Sequence, residues 1–267
     1  MPYLTLRGCR FYYEDTQHGR ETLVFSHGLL WSSQMFAEQI AHLSPYYRVV
    51  AYDHRGQGQS QATESGYDMD SLTDDALALL DALGIEQCHF IGLSMGGFVA
   101  MRLAARHPIR IQSLVLLETS AQPEAPENVP RYRLLCRVVR LLGTWAVQKP
   151  VMRIMFGQSF LTDPRRADLR RHWKKQLLRN PRSIVRAVQG VIDRQGIANE
   201  LAAIHCPVLI LVGDEDVATP IGKAQAMHQS IAGSQLRILP RAGHSASVEE
   251  PAAVNAAIAE FLATIAT

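Results

Sequence analysis

The sequence predicts an α/β fold: a mostly parallel sheet with helices on both faces and a helical cap inserted between two of its strands. Three observations lead there. Short apolar runs alternate with stretches of helical period in residues 1–120 and again in residues 206–267. Residues 121–205 break that alternation and offer helical patterns alone. The composition, 47% hydrophobic and 19% charged over 267 residues, supplies ample apolar material for a core and excludes a disordered, collagen-like or coiled-coil chain.

The elements follow in order. Residues 10–14 form a short aromatic strand, and residues 22–26 a second that ends at Ser26-His27-Gly28. Residues 34–43 place Met35, Phe36, Ile40 and Leu43 at helical spacing. Residues 47–52 are a strand ending at Asp53. In residues 69–83, Leu72, Ala76, Leu79, Leu80 and Leu83 make one helical stripe, which Gly84 is placed to stop. An apolar strand at 89–93 leads into a helix at 95–106, with His107-Pro108 beyond its end. Residues 111–117 are apolar throughout, as in a strand buried on both faces. The middle segment opens on Gln122-Pro123-Glu124-Ala125-Pro126 and holds helices at 131–142, 167–178 and 183–193, expected to lie over the carboxyl ends of the strands. Alternation resumes with a strand at 207–212, a helix at 221–230, a strand at 236–239 and a closing helix at 252–265.

Charge is unevenly placed. The net value is +2, yet residues 121–205 carry 16 Arg and Lys against 6 Asp and Glu. A solvated helical face is the simplest reading of that surplus. Attraction of anionic substrates is a second reading. Contact with nucleic acid or an acidic membrane is a third, disfavoured because no recognition motif accompanies the charge. Cys9, Cys88, Cys136 and Cys206 form no C-x-x-C pair and lack a histidine at zinc-ligand spacing, so buried reduced thiols are expected and no metal site. No apolar run approaches the ~18 residues of a membrane span, and the first residues lack the pattern of a signal peptide, so a cytoplasmic protein is the default expectation.

The strongest chemical signal is Gly92-Leu93-Ser94-Met95-Gly96, a G-x-S-x-G sequence between an apolar strand and a helix. A serine on a tight strand-to-helix turn has its hydroxyl pushed into the open. The flanking glycines let neighbouring chain pass close by, and the helix N-terminus favours developing negative charge. Serine is a weak nucleophile and needs a base, which in turn needs an orienting acid. In this architecture they follow in the order Ser, acid, His. Asp216, in Val212-Gly213-Asp214-Glu215-Asp216 and four residues before Pro220, is the expected acid; His244, after the last strand, is the expected base. Glu118, at the end of another strand, is the distant rival for the acid and reads more simply as a polar residue closing that strand. The backbone N–H groups of Leu29 and Met95 are the expected oxyanion donors, with His27 buttressing the first of these loops. The Asp53–60 stretch starts a G-x-G-x-x-G but has Gln61 where the third glycine belongs, so it reads as a structural turn and not a nucleotide loop. No cofactor is called for.

These segments resemble the α/β-hydrolase superfamily along nearly the whole chain: Ser26-His27-Gly28, Asp53-His54-Arg55-Gly56-Gln57-Gly58-Gln59-Ser60, Gly92-Leu93-Ser94-Met95-Gly96-Gly97, Gly213-Asp214-Glu215-Asp216 with Pro220, and Ala242-Gly243-His244. The resemblance implies an eight-stranded sheet, one strand more than the patterning supplies. Within the superfamily the chain is most similar to the 3-oxoadipate enol-lactonase and small esterase or lactonase group. It departs from the enol-lactonases at His27-Gly28 and at Gln57, where that group usually has histidine. The implied activity is hydrolysis of a small-molecule carboxylic ester or lactone, without nucleic acid or membrane as partner.

Two other activities use the same triad, hydrolysis of a C–C bond of a β-diketone type and peracid formation. A non-catalytic binding protein on the same fold is the rival from another class. A dehalogenase would need a carboxylate where Ser94 stands. For the substrate pocket the candidates are Trp31, Trp145, Met152, Met155, Phe156 and Trp173, with Phe160 beside them. Any one of them reads more readily as the insertion's own core.

Overall fold

The computed structural model describes residues 2–265. Its strands are β1 (Tyr3–Leu6), β2 (Cys9–Asp15), β3 (Thr22–Ser26), β4 (Arg48–Tyr52), β5 (Cys88–Leu93), β6 (Ile111–Leu117), β7 (Val208–Gly213) and β8 (Gln235–Leu239). They form one 8-stranded sheet in the order β1-β2-β4-β3-β5-β6-β7-β8. β1 and β2 are a hairpin, β2 runs antiparallel to β4, and every other pairing is parallel.

The central strands read as continuous apolar runs because both faces of the sheet are covered. Leu23, Phe25, Ile91, Leu93, Val115, Leu117, Leu209 and Leu211 belong to one core. Their alternates Val24, Phe90, Leu114, Leu116, Val208, Ile210 and Val212 belong to the other. This is the period of two expected of a strand. Helix α1 (Ala37–Leu43) packs on the first face, and α2 (Met69–Ala82) and α3 (Met95–Arg106) on the second. Gly84 has φ +63° just past α2, a backbone state suited to glycine, and it ends that helix as the sequence predicts.

Strand β1 lies outside the predicted elements. Its four residues are too few for a periodicity signal, and it is defined by tertiary pairing and by its turn. Arg7 and Gly8 both have positive φ, 49° and 73°, which matches the right-handed twist of a two-residue hairpin.

Between β6 and β7 the chain forms α4 (Val129–Leu142), α5 (Gln148–Met155), α6 (Gln158–Thr162), α7 (Ala167–Arg179) and α8 (Val185–Ile192). Helices α5 and α6 escape the sequence reading: α5 carries Pro150 in its first turn and α6 is a single turn. These helices touch the loops that follow the parallel strands. Asn180 donates to the Leu30 carbonyl at 2.9 Å, and Arg186 to the Thr63 carbonyl at 2.7 Å. A Cβ on Gly190 of α8 would meet the Tyr67 carbonyl oxygen at 2.0 Å. The remaining helices, α9 (Ile221–Ser230), α10 (Ala246–Glu249) and α11 (Pro251–Ala263), complete the two faces of the sheet. No helix of the described residues is long and apolar enough to cross a membrane.

Candidate active site

Ser94 sits between β5 and α3 with φ +52° and ψ −110°, a strained state for a non-glycine residue. Surrounding bonds hold it there. Its N–H donates to the Leu117 carbonyl at 2.9 Å, and its own carbonyl accepts from the Phe98 N–H at 3.1 Å and the Thr119 hydroxyl at 2.8 Å. The flanking glycines are sterically required. A Cβ on Gly92 would lie 2.4 Å from the Gly96 carbonyl oxygen, and one on Gly96 would lie 1.9 Å from that of Ser26.

Three distant segments converge on this turn. The Ser94 Oγ is 2.8 Å from His244 Nε2, and His244 Nδ1 is 2.9 Å from Asp216 Oδ2. All three residues are buried. Asp216 also accepts from the Thr219 hydroxyl at 2.6 Å and from the N–H groups of Ala218 and Thr219 at 2.8 and 3.0 Å. Burial pushes the Asp216 carboxyl up, but the His244 ring, Glu118 and Thr219 together outweigh it and hold the group well below the usual carboxylate range.

Glu118 is not remote from this set. It interacts electrostatically with Asp216, while the Gly213 N–H donates to both of its oxygens at 3.1 Å. Complete burial and the Asp216 charge push its carboxyl well above the normal range. Its strand end gave a hint in the sequence. The missing piece was that the ends of β6 and β7 are neighbours.

The loop after β3 lies across from Ser94. His27 donates through Nδ1 to the Gly28 carbonyl at 2.7 Å and accepts the His54 N–H on Nε2 at 2.8 Å. Gln57 takes the Leu30 N–H at 2.7 Å and reaches Met95 Sδ at 3.6 Å, tying the two expected donor segments together. The Leu29 N–H makes no hydrogen bond among the described residues, and Met95, as the first residue of α3, has no acceptor for its N–H within the helix. Asp53 fixes the same region by accepting the N–H groups of Ser33 and Gln59, each at 2.7 Å.

A cavity of about 140 Å³ opens beside Ser94 and His244. Leu29 and Met155 line it, whereas Trp31, Trp145, Met152, Phe156 and Trp173 do not. The correction has a packing cause. Trp31, Trp173, Phe156 and Phe160 bury against one another, with ring centroids 4.7–5.7 Å apart, and form the seam between the post-β3 loop and the inserted helices. Met152 is buried in the same core. Trp145 is 60% exposed, because its short 3-10 turn buries Thr144 and Val147 instead. The walls are aliphatic residues of α4, α5 and α8, among them Leu135, Val139, Val151 and Val188. Cys136 also lines the cavity; it, Cys9 and Cys88 are buried, while Cys206 is only half-buried.

Comparison with known proteins gives the family. Family models described as alpha/beta hydrolase fold and TAP-like protein match residues 21–137 and 188–267. An AB hydrolase superfamily protein, YisY of Bacillus subtilis, is 32% identical over 93% of both chains. The chain belongs to the α/β hydrolase family. Among solved members of that family, the enol-lactonase of Burkholderia xenovorans LB400 superimposes with a TM-score of 0.91 at 29% identity, covering 98% of this chain and all of that one. A thermophilic esterase from Thermogutta terrifontis gives 0.90 at 29% identity, covering all of this chain and 98% of the other. As an α/β hydrolase the chain is thus similar to both an esterase and an enol-lactonase.

Proposed function

We propose that the protein hydrolyses a small-molecule carboxylic ester or lactone through an acyl-enzyme on Ser94. The observation that carries this reading is the continuous chain Ser94 Oγ, His244 Nε2, His244 Nδ1, Asp216 Oδ2, with steps of 2.8 and 2.9 Å. His244 takes the serine proton as the hydroxyl attacks the carbonyl, and returns it to the leaving alkoxide. Asp216, ionised, holds the ring in the tautomer that leaves Nε2 free to accept and stabilises the imidazolium that forms. The N–H groups of Leu29 and Met95 receive the oxyanion, and their lack of competing acceptors supports that role. Water then attacks the acyl-enzyme with His244 again as base. Residues 121–205 act as a cap that shapes the pocket, and the relatives named esterase and enol-lactonase support the substrate class.

Ser94→Ala should lower kcat on a p-nitrophenyl ester by about 10⁴-fold or more while leaving the fold intact. A fluorophosphonate probe should modify the wild type at Ser94 and nowhere else. Unchanged turnover in the variant, or an unlabelled Ser94, would refute the reading.

A further inference from the structure

The cavity beside Ser94 is apolar over most of its wall, and the cationic group on that wall is already matched. Arg194, next to the end of α8, lines the cavity together with Glu124, Tyr132 and Phe98. Its Nη1 lies 2.8 Å from Glu124 Oε2 in a pair whose side chains are 2% and 9% exposed. The same guanidinium donates to the carbonyls of Val191 and Gln122 at 2.8 and 3.3 Å and stands 4.4 Å over the Phe98 ring. Lys223 on α9 is a further cation near this pair, and Glu124 acts on it as well. Among the described residues, Arg194 is the only Arg or Lys of the insertion that lines the cavity. Arg133, Arg165, Arg171 and Arg186 are spent on ion pairs that are largely exposed. A carboxylate entering here would lose its hydration and find Arg194 occupied, a costly exchange.

Resting on the hydrolase reading above, we propose that the acyl group taken by this pocket is uncharged and apolar, on the order of six carbons, the content that cavities of ~150 Å³ accommodate. Glu124 is the specificity residue that keeps it so, by neutralising Arg194. An aliphatic or aromatic acyl chain then lies along Leu135, Val139 and Val188 with its carbonyl at Ser94.

The test is a set of p-nitrophenyl esters assayed on the full chain: acetate, hexanoate, dodecanoate, and the mono-ester of adipic acid, which is hexanoate's length with a terminal carboxylate. Each methylene buried is worth roughly fourfold, so the four that separate hexanoate from acetate should raise kcat/KM by about a hundredfold, with a fall again at dodecanoate. The adipate ester should trail hexanoate by about tenfold or more, through KM. Glu124→Gln, which leaves Arg194 without its counter-charge, should move the adipate-to-hexanoate ratio upward by about tenfold; a merely structural residue would slow both esters alike. Val139→Phe, which fills the cavity, should bring the hexanoate-to-acetate ratio towards one, and it gives a second readout where the Glu124 variant does not fold. A flat chain-length profile, or an adipate ester as good as hexanoate in the wild type, overturns the proposal even while Ser94 is labelled by the fluorophosphonate. Absence of both labelling and turnover would overturn the hydrolase reading, and this proposal with it.

Discussion

Two carboxyl groups meet at the end of β7, and they cannot both be ionised without cost. Asp216 is drawn to the ionised form by His244, Glu118 and Thr219, while burial and the Asp216 charge push the Glu118 carboxyl well above the normal range. A carboxyl so raised is suited to donate towards Asp216, and it accepts the Gly213 N–H from the other side. It touches neither the serine nor the cavity, which makes it a positioning residue. Glu118→Gln preserves shape and a donor, so kcat should stay within about threefold of wild type. Glu118→Ala strands the Gly213 N–H and removes that donor, and should cost about 1–3 kcal/mol of stability and about tenfold in kcat. Thermal melts and steady-state kinetics on the pair decide it; a Gln variant as damaged as the Ala variant would mean that the residue works as an anion. Ser94, Asp216 and His244 are the expected triad because each follows a strand within a short pattern of its own. Glu118 lacked such a pattern, and the identity of its neighbour depends on sheet order.

At the scale of elements, the serine turn depends on how closely α3 approaches β3. The approach runs through Gly96, where a methyl group would fall 1.9 Å from a backbone oxygen that cannot move independently of the strand. Gly96→Ala should therefore shift the start of α3, destabilise the protein by about 1–3 kcal/mol and abolish most activity, seen as a lower Tm together with slower fluorophosphonate labelling. A variant with wild-type Tm and labelling rate would refute this account of the turn. Strands β3 to β7 and helices α2 and α3 match their apolar patterns because both faces of the sheet are buried, and that burial fixes which residues are apolar. The inserted helices were legible only in part. An aliphatic stripe that walls a cavity, such as Leu135 and Val139 on α4, has the same spacing as one that fills a core.

Across the whole molecule, the insertion is joined to the catalytic end of the sheet through two carboxylates. Glu215 accepts from Ser159 at the start of α6, and Glu249 accepts the N–H groups of Gly157, Gly243 and Ser245 at 2.8, 3.0 and 3.0 Å. Burial pushes the Glu249 carboxyl up to about 7 against the pull of these three donors. The native state thus holds this proton more tightly than the unfolded chain does. The group's contribution to stability is full below pH 4.5, its ordinary value, and is lost as pH rises towards about 7. Over that window the stability of the wild type relative to Glu249→Gln should decline by about 2–4 kcal/mol, measured as the difference between their denaturation midpoints at each pH. A difference that is constant from pH 4.5 to 7, or that grows, would contradict the assignment.

The sequence alone determined the α/β class, and it supplied the helical insertion and the triad of Ser94, Asp216 and His244 as expectations, because each rests on local patterning or on a motif within a few residues. Tertiary structure alone decided the rest. It joined Glu118 to Asp216, turned Trp31, Phe156 and Trp173 into a packing seam, set Arg194 against Glu124, and gave the cavity to aliphatic walls. The physical reason is common to all four. Whether a buried group meets a charge, a ring or an empty space is set by segments distant along the chain, and local periodicity reports only that the group is buried.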